Sequence, residues 1–168
     1  KDGKRVTGST EHIALSRKAA GDGMVLVKNE NDTLPLAKGT KVALFGKGTI
    51  DYVKGGGGSG DVTVSYIHNL YDGLKMLQDN VSVYEETADF YRENVEKQYA
   101  GGKVPGMTEE PKLPGKLLAG AAAYTDTAII SISRFSGEGW DRKAAEDQKR
   151  KKKSEDDRMV AESEKLFE

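Results

Sequence analysis

Short apolar runs alternate along this chain with stripes of apolar residues at helical spacing. The segments 41–46, 81–84 and 127–133 are apolar runs of strand length. Between the first two runs, residues 66–77 carry an apolar stripe typical of a helix. Between the second and third runs, residues 85–99 form a more polar helical pattern. Strands that alternate with helices predict an α/β fold, with a mainly parallel sheet flanked by helices in three layers.

The first part of the chain has a different pattern. Residues 11–30 predict a helix that leads into an extended segment. Residues 24–29 are apolar enough that we expect them to be buried. The sequence therefore predicts a lead-in helix and extended segment over residues 1–40, followed by a partial α/β domain over residues 41–168.

Two of the predicted strands look buried, and one of them leads to a carboxylate. The run 41–46 shows no alternation, which indicates burial on both faces, as in a parallel sheet. The run 128–133 leads into Glu138, which lies between Gly137 and Gly139. Glycines free the backbone to hold a side chain at a loop tip, and ligands of open α/β folds bind beyond the carboxyl ends of strands. Glu138 is thus either a proton-transferring carboxylate or a solvated glutamate in a polar loop.

The composition excludes several classes of function. The 168 residues include 26 basic and 27 acidic ones, so no general attraction to nucleic acid or to an anionic membrane follows. The absence of cysteine excludes disulfides, thiolate catalysis and Cys-ligated metals within the chain, and two histidines are too few for a His-rich metal site. No apolar run approaches the roughly 18 residues of a membrane span. No signal peptide is visible, which slightly favours the cytoplasm. Because the chain begins with Lys1 and not with Met, we expect its beginning to be trimmed, so the location stays open.

The C-terminal tail, residues 143–168, is unusually charged. Its basic run at 149–153 is followed by acidic residues at 155–157, which favours a solvated loop over a nucleic-acid patch. Residues 159–167 have helical spacing. Because the predicted strands make only a thin sheet, we expect the chain to be part of a larger domain that completes its core.

The glycine-rich segment 54–60 leaves several interpretations open. The glycines at 55, 57 and 60 match the dinucleotide fingerprint formally, but the segment does not directly follow a strand, and no acidic residue ends a second strand about 20 residues on. The frame of a Walker motif is absent. A flexible linker and a loop that presents Ser59 and its backbone N–H groups to a ligand both remain, and Asp61 is a candidate cap for the segment that follows.

The other candidate for chemistry is the neighbourhood of Glu138. Glycoside hydrolysis normally uses two carboxylates, about 5 Å apart in retaining enzymes. Asp141 lies near Glu138, but its neighbour Arg142 favours a structural ion pair, and no further carboxylate stands out as a nucleophile. Trp140 is either a core residue or a wall on which a sugar stacks.

Motifs of one known family occur in order along the chain. They are residues 19–29 with 34–36, the strand 41–46, the glycine-rich segment 54–61 and the loop 133–142. Together they resemble glycoside hydrolase family three, the β-glucosidase type, in the first part of its (α/β)6-sandwich domain.

The resemblance implies a retaining β-glucosidase that hydrolyses terminal, non-reducing β-D-glucosyl residues. It implies Glu138 as the general acid/base, and Ser59, Gly58 and Trp140 as substrate-binding residues. The implied substrate is a β-glucoside or oligosaccharide, with a β-xyloside or another β-glycoside as alternatives. It implies no cofactor and no metal, and neither nucleic acid nor membrane as a partner.

The same resemblance implies that the active site is shared with the remainder of the enzyme. In the family the nucleophile is an aspartate in a Ser-Asp-Trp-like motif on a separate (β/α)8 barrel, and this sequence contains no Ser-Asp dipeptide. We therefore expect the barrel to be absent from this chain and the chain alone to be inactive. The rival hypothesis is a non-catalytic or nucleotide-binding α/β module that uses the glycine-rich segment.

Overall fold

A computed structural model of the chain describes residues 8–55 and 58–138. It divides into two compact units at the junction of Ala37 and Lys38. Trp140, the Asp141–Arg142 pair and the tail at 143–168 lie outside the described residues. Within those ranges, the helices are too short or too polar to cross a membrane.

The first unit contains one helix and an extended segment. Helix α1, Thr10–Asp22, begins after Ser9, whose side chain accepts a hydrogen bond from the backbone N–H of His12 at 3.3 Å. The expectation that residues 24–29 are buried is wrong in this structure, since Met24 is 77% exposed and Val27 is 91% exposed. An apolar run shows that a segment favours burial, but it does not supply the surface that would cover it.

The second unit is a parallel sheet with helices packed on it. Its strands lie in the order β2-β1-β3, and both neighbouring pairs are parallel. The predicted α/β class, with a mainly parallel sheet flanked by helices, is confirmed. In chain order the elements are β1 Thr40–Phe45, α2 Leu70–Met76, β2 Val81–Val83, α3 Glu85–Ala100, α4 Gly115–Tyr124 and β3 Ala128–Ile130.

The core lies between the central strand β1 and helix α3. Val42 and Leu44 are 0% exposed, which confirms the expected burial of this strand. From α3, Tyr91 is also 0% exposed and Val95 is 1% exposed. The buried hydroxyl of Thr87, at the start of α3, accepts a hydrogen bond from the backbone N–H of Leu44 at 3.3 Å, so helix and strand are joined by a polar contact within the core.

Strand β3 differs from its sequence-based expectation. It ends at Ile130 instead of residue 133, and Ile130 is 68% exposed. In the described sheet β3 pairs on one side only, with β1. A side chain on such an edge strand stays exposed unless another element covers it, and sequence patterning alone does not identify that element.

Helix α2 begins later than its apolar stripe indicates. The stripe predicts a start at residue 66, but the helix begins at Leu70 because Asn69 caps it. The Asn69 side chain accepts from the backbone N–H of Asp72 at 2.8 Å, and the Asp72 carboxylate accepts from the Asn69 N–H at 3.2 Å. This capping box fixes the start of the helix, so Ile67 lies outside it.

Candidate functional site

Glycines at the end of β1 set the course of the segment that follows β3. Gly46 has φ of +89°, and a Cβ there would lie 3.0 Å from the Ser131 carbonyl carbon and overlap its oxygen. A Cβ on Gly48 would lie 2.9 Å from the Ser133 Cβ. Because carbon atoms pack at about 3.5–4.0 Å, both positions require glycine. The backbone N–H of Ser131 also donates to the Phe45 carbonyl at 2.8 Å, so the two strand ends run side by side.

The segment beyond β3 brings Glu138 against the glycine-rich loop. The backbone N–H of Ser59 donates to Glu138 Oε2 at 3.2 Å, and the Ser59 hydroxyl lies 3.5 Å from the same oxygen. Gly58 has φ of +67°, and a Cβ there would lie 2.8 Å from the Glu138 Cβ and overlap Oε2. The fold thus brings together Gly58, Ser59 and Glu138, although Ser59 and Glu138 are 79 residues apart along the chain.

The base of the glycine-rich loop is closed by Lys54. Its ammonium donates to the Asp61 carboxylate and to the Val62 carbonyl. Asp61 therefore forms an ion pair across the loop, whereas the sequence presented it as a candidate cap. This closure holds the two ends of the loop together while its tip, at Gly58 and Ser59, reaches Glu138.

A buried carboxylate that was not among the candidates from the sequence is Asp51, which lies along the chain between β1 and the glycine-rich loop. Asp51 is 0% exposed, and its Oδ1 accepts from the Tyr99 hydroxyl at 2.6 Å and from the Gly106 N–H at 2.7 Å. Its Oδ2 accepts from the Thr108 hydroxyl and lies 3.5 Å from the Lys47 ammonium. We call Lys47, Asp51, Tyr99, Gly106 and Thr108 the Asp51 cluster.

The contacts of the Asp51 cluster fix its protonation. Burial alone would raise the pKa of Asp51, but hydrogen bonds from Gly106, Thr108 and Tyr99, with the charge of Lys47, outweigh burial and lower that pKa. Burial, together with the hydrogen bond to Asp51, raises the pKa of Tyr99. Asp51 is therefore an anion and Tyr99 a neutral donor at neutral pH. The position of Asp51 beyond the carboxyl end of β1 was the one signal in the sequence that pointed to it.

A further carboxylate, Glu110, joins the turn after β1 to the core. It accepts from the Lys47 backbone N–H at 2.8 Å and from the Tyr91 hydroxyl at 2.9 Å. Burial, with the neighbouring Glu110, raises the pKa of Tyr91 to about 12. The Lys47 ammonium also donates to the carbonyls of Gly106, at 3.1 Å, and Thr108. The turn after β1 is therefore joined by several polar contacts to the connector between α3 and α4, residues 101–114.

An open cavity of about 750 Å³ lies beside β3, and its lining does not include Glu138 or Ser59. Its walls include apolar side chains from β1, α4 and β3, among them Phe45, Leu118 and Ile130. The lining also includes the charged residues Lys47, Glu110 and Arg134, and the cavity is separate from the contact between Glu138 and the glycine-rich loop.

Comparison with known proteins identifies the family. Residues 24–165 match the glycosyl hydrolase family 3 C-terminal domain. The chain belongs to this family. The resemblance inferred from the ordered sequence motifs is therefore confirmed.

Relatives of this family 3 domain are β-glucosidases. Beta-glucosidase A of Butyrivibrio fibrisolvens is 62% identical over 144 residues, which cover 86% of this chain and 17% of that protein. Among solved structures, β-glucosidase 3B from Thermotoga neapolitana, in complex with α-D-glucose, is 37% identical with a TM-score of 0.65, and the match covers 79% of this chain and 19% of that one. A β-glucosidase from Paenibacillus barengoltzii is 34% identical with a TM-score of 0.68, covering 77% and 15% respectively.

The match to these family 3 proteins covers only part of their length. The chain spans 17% of the Butyrivibrio protein and 14% of the β-glucosidase of Ruminococcus albus, to which it is 34% identical. Similarity over the matched part establishes the family and the fold of this domain.

Proposed function

We propose that this chain is part of a retaining β-glucosidase and supplies Glu138 as the general acid/base of an active site shared with a barrel domain. The observation that carries the proposal is the contact of Glu138 with the Ser59 N–H, at 3.2 Å, on the loop tip where Gly58 leaves room for it. Glu138 is exposed, so a substrate has access to its carboxyl group. Membership of the family and the similarity to β-glucosidases support the assignment of the activity.

In this mechanism the proton moves twice through one carboxyl group. In the first step, protonated Glu138 gives its proton to the glycosidic oxygen while a nucleophile on the barrel domain bonds to the anomeric carbon, so that the glycosidic bond breaks and the leaving group departs as an alcohol. In the second step, the Glu138 carboxylate takes a proton from water as that water bonds to the anomeric carbon and the bond from this carbon to the nucleophile breaks. The proton balance closes, and Glu138 is ready for another turnover.

The substrate contacts follow from the same arrangement. The Ser59 N–H faces Glu138, and the Ser59 hydroxyl, at the edge of hydrogen-bonding distance from it, is available to a sugar. Trp140, two residues after Glu138, would supply an aromatic wall for the leaving group. The proposed organisation is the one expected from the sequence, with a lead-in at 1–40, a partial sandwich domain at 41–168 and the barrel elsewhere in the enzyme. The proposed substrate is a β-glucoside.

The contact with Glu138 also argues against a nucleotide site in the glycine-rich loop. An anion site needs backbone N–H groups that are available to phosphate. Here the Ser59 N–H donates to a carboxylate, and a phosphate placed beside that carboxylate would be repelled.

The proposed function is tested by replacing Glu138 in the full enzyme. Without an acid, the hydrolysis of substrates with poor leaving groups should slow much more than that of aryl glucosides with good leaving groups, because only the poor leaving groups need a proton in the transition state. We expect Glu138→Ala to show this difference in kcat/KM, with partial recovery of the aryl glucoside reaction on addition of azide. Glu93→Ala, which removes an exposed glutamate from α3, is the matched control. Equal slowing of both substrates by Glu138→Ala would exclude Glu138 as the acid.

A further inference from the structure

We infer that Asp51 is a positioning residue for Glu138, and that it acts through the backbone of Gly106 and the side chain of Phe135. The inference rests on the proposed role of Glu138 as the acid/base. It assigns a task to a buried carboxylate that the proposed mechanism does not otherwise use.

The first link joins Asp51 to Gly106. Asp51 Oδ1 accepts from the Gly106 N–H at 2.7 Å, and the Lys47 ammonium donates to the Gly106 carbonyl at 3.1 Å. Both polar backbone groups of Gly106 are therefore bound, the N–H by Asp51 and the carbonyl by Lys47. Since Asp51 is fully buried and both of its carboxylate oxygens accept hydrogen bonds, movement would leave a charge without partners in the interior, which is costly.

The second link joins Gly106 to the segment that carries Glu138. Gly106 has φ of +84°, and a Cβ there would lie 3.1 Å from both Cβ and Cγ of Phe135 and 2.7 Å from Cγ2 of Val53. The Phe135 side chain thus lies directly on the Gly106 backbone. Phe135 precedes Glu138 by three residues, so a shift of Phe135 is passed to Glu138 through a short length of chain.

The third step is that Glu138 depends on this support. Its own side-chain contacts with Ser59 are long, at 3.2 and 3.5 Å, and it is exposed. Its placement is therefore governed by the backbone from Ser131 to Glu138. That backbone is held at its start by close packing on Gly46 and Gly48, and further along by Phe135 on Gly106. Misplacement of a catalytic group by about 1 Å can cost about 10²-fold in rate.

The test compares two glycines of the same connector in the full enzyme. Gly106→Ala would force both Phe135 and Val53 away, whereas Gly102→Ala is a matched control, since Gly102 has φ of +90° and open space around it. For Gly106→Ala we expect kcat/KM to fall by about 10²-fold for a β-glucoside with a poor leaving group, and much less for an aryl glucoside with a good one. Gly102→Ala should affect both substrates equally.

Further variants keep the test decisive if Gly106→Ala does not fold. Phe135→Ala should show the same dependence on the leaving group, and Phe135→Leu should recover most of the loss because it restores apolar volume on Gly106. Asp51→Asn keeps the shape of the side chain and should move the leaving-group dependence in the same direction. Circular dichroism reports whether each variant is folded.

The outcomes separate this inference from the proposed function. If Glu138→Ala shows the leaving-group dependence but folded Gly106→Ala and Phe135→Ala slow both substrates equally, the role of Asp51 in positioning is overturned and the acid/base assignment stands. If Glu138→Ala slows both substrates equally, the acid/base assignment fails and the inference fails with it. Leaving-group dependence in all three variants, and not in Gly102→Ala, supports both.

Discussion

At the scale of single residues, the requirement for glycine at position 58 is set by the neighbouring carboxylate. Gly58 combines a positive φ with a space that Glu138 fills, so any side chain would meet two obstacles there. A left-handed backbone costs a residue with a Cβ about 1–2 kcal/mol, but the overlap with Glu138 is a separate effect that acts directly on the proposed acid.

We predict that Gly58→Ala impairs catalysis beyond its cost in stability. The added methyl displaces Glu138, so kcat/KM for a β-glucoside with a poor leaving group should fall by about 10²-fold in the full enzyme. The matched control is Gly39→Ala, because Gly39 has φ of +84° but a Cβ added there would meet no atom within 4 Å. If steady-state kinetics show the same loss in both variants, backbone strain and not displacement of Glu138 is responsible.

We expect Asp51 to make the stability of residues 103–110, in the connector between α3 and α4, depend on pH. Because its folded pKa is lowered from the usual value of about 3.9, Asp51 stabilises the fold above that pH, and this contribution is lost as the pH falls through the folded pKa. We predict that the free energy of local opening of residues 103–110 decreases in the native protein when the pH is lowered below about 4. In Asp51→Asn it should be lower at neutral pH and fall less on acidification.

Hydrogen exchange of the 103–110 amides between pH 7 and pH 3, corrected for intrinsic exchange rates, measures this difference. Asp79→Asn is the control, since Asp79 is exposed and should leave the native acid dependence unchanged. An acid dependence that is identical in Asp51→Asn and the native protein would contradict the assignment of this transition to Asp51.

At the scale of elements, β1 and α3 carry the core that places the ends of the strands. Leu44 is 0% exposed, whereas Leu77, just after α2, is 52% exposed. We predict that Leu44→Ala destabilises the second unit by about 2–5 kcal/mol, since it loses burial and leaves a cavity. Leu77→Ala should cost much less. Urea unfolding of both variants provides the comparison, and equal losses would mean that β1 is not the centre of the core.

The elements show which features the sequence specifies locally. The helix α3 and the strands β1 and β2 were predicted close to their observed ends, because helical spacing and apolar runs are properties of neighbouring residues. The start of α2 was missed because a capping box overrode the apolar stripe. The burial of β3 was misjudged because burial depends on what lies across from a strand, which its own residues do not encode.

The candidate site shows the same division. The sequence predicts Glu138 and Ser59 as candidate site residues because glycines flank them and because their motifs resemble a known family, and the structure places the two side by side. Asp51 was missed because its partners Tyr99, Gly106 and Thr108 lie 48, 55 and 57 residues away along the chain. A buried aspartate has no sequence periodicity of its own, and the position of Asp51 after β1 does not reveal the donors, which only the fold brings together.

At the scale of the whole molecule, one of the two carboxylates that retaining hydrolysis needs is proposed to lie outside this chain. We therefore predict that the purified 168-residue chain does not turn over an aryl β-glucoside, whereas the full enzyme does. Release of the aryl group, followed by absorbance, is the measurement. Turnover by the chain alone that disappears in Glu138→Ala would show that its own residues suffice for catalysis.

The open side of β3 has a practical consequence for handling the chain by itself. Ile130 and Ile132 are 68% and 78% exposed, and within residues 8–55 and 58–138 no strand pairs with the outer edge of β3. An apolar strand edge with unpaired backbone groups is a template on which identical molecules associate. The isolated chain should therefore form aggregates as its concentration rises, and charged substitutions on this edge are the means of keeping it in solution.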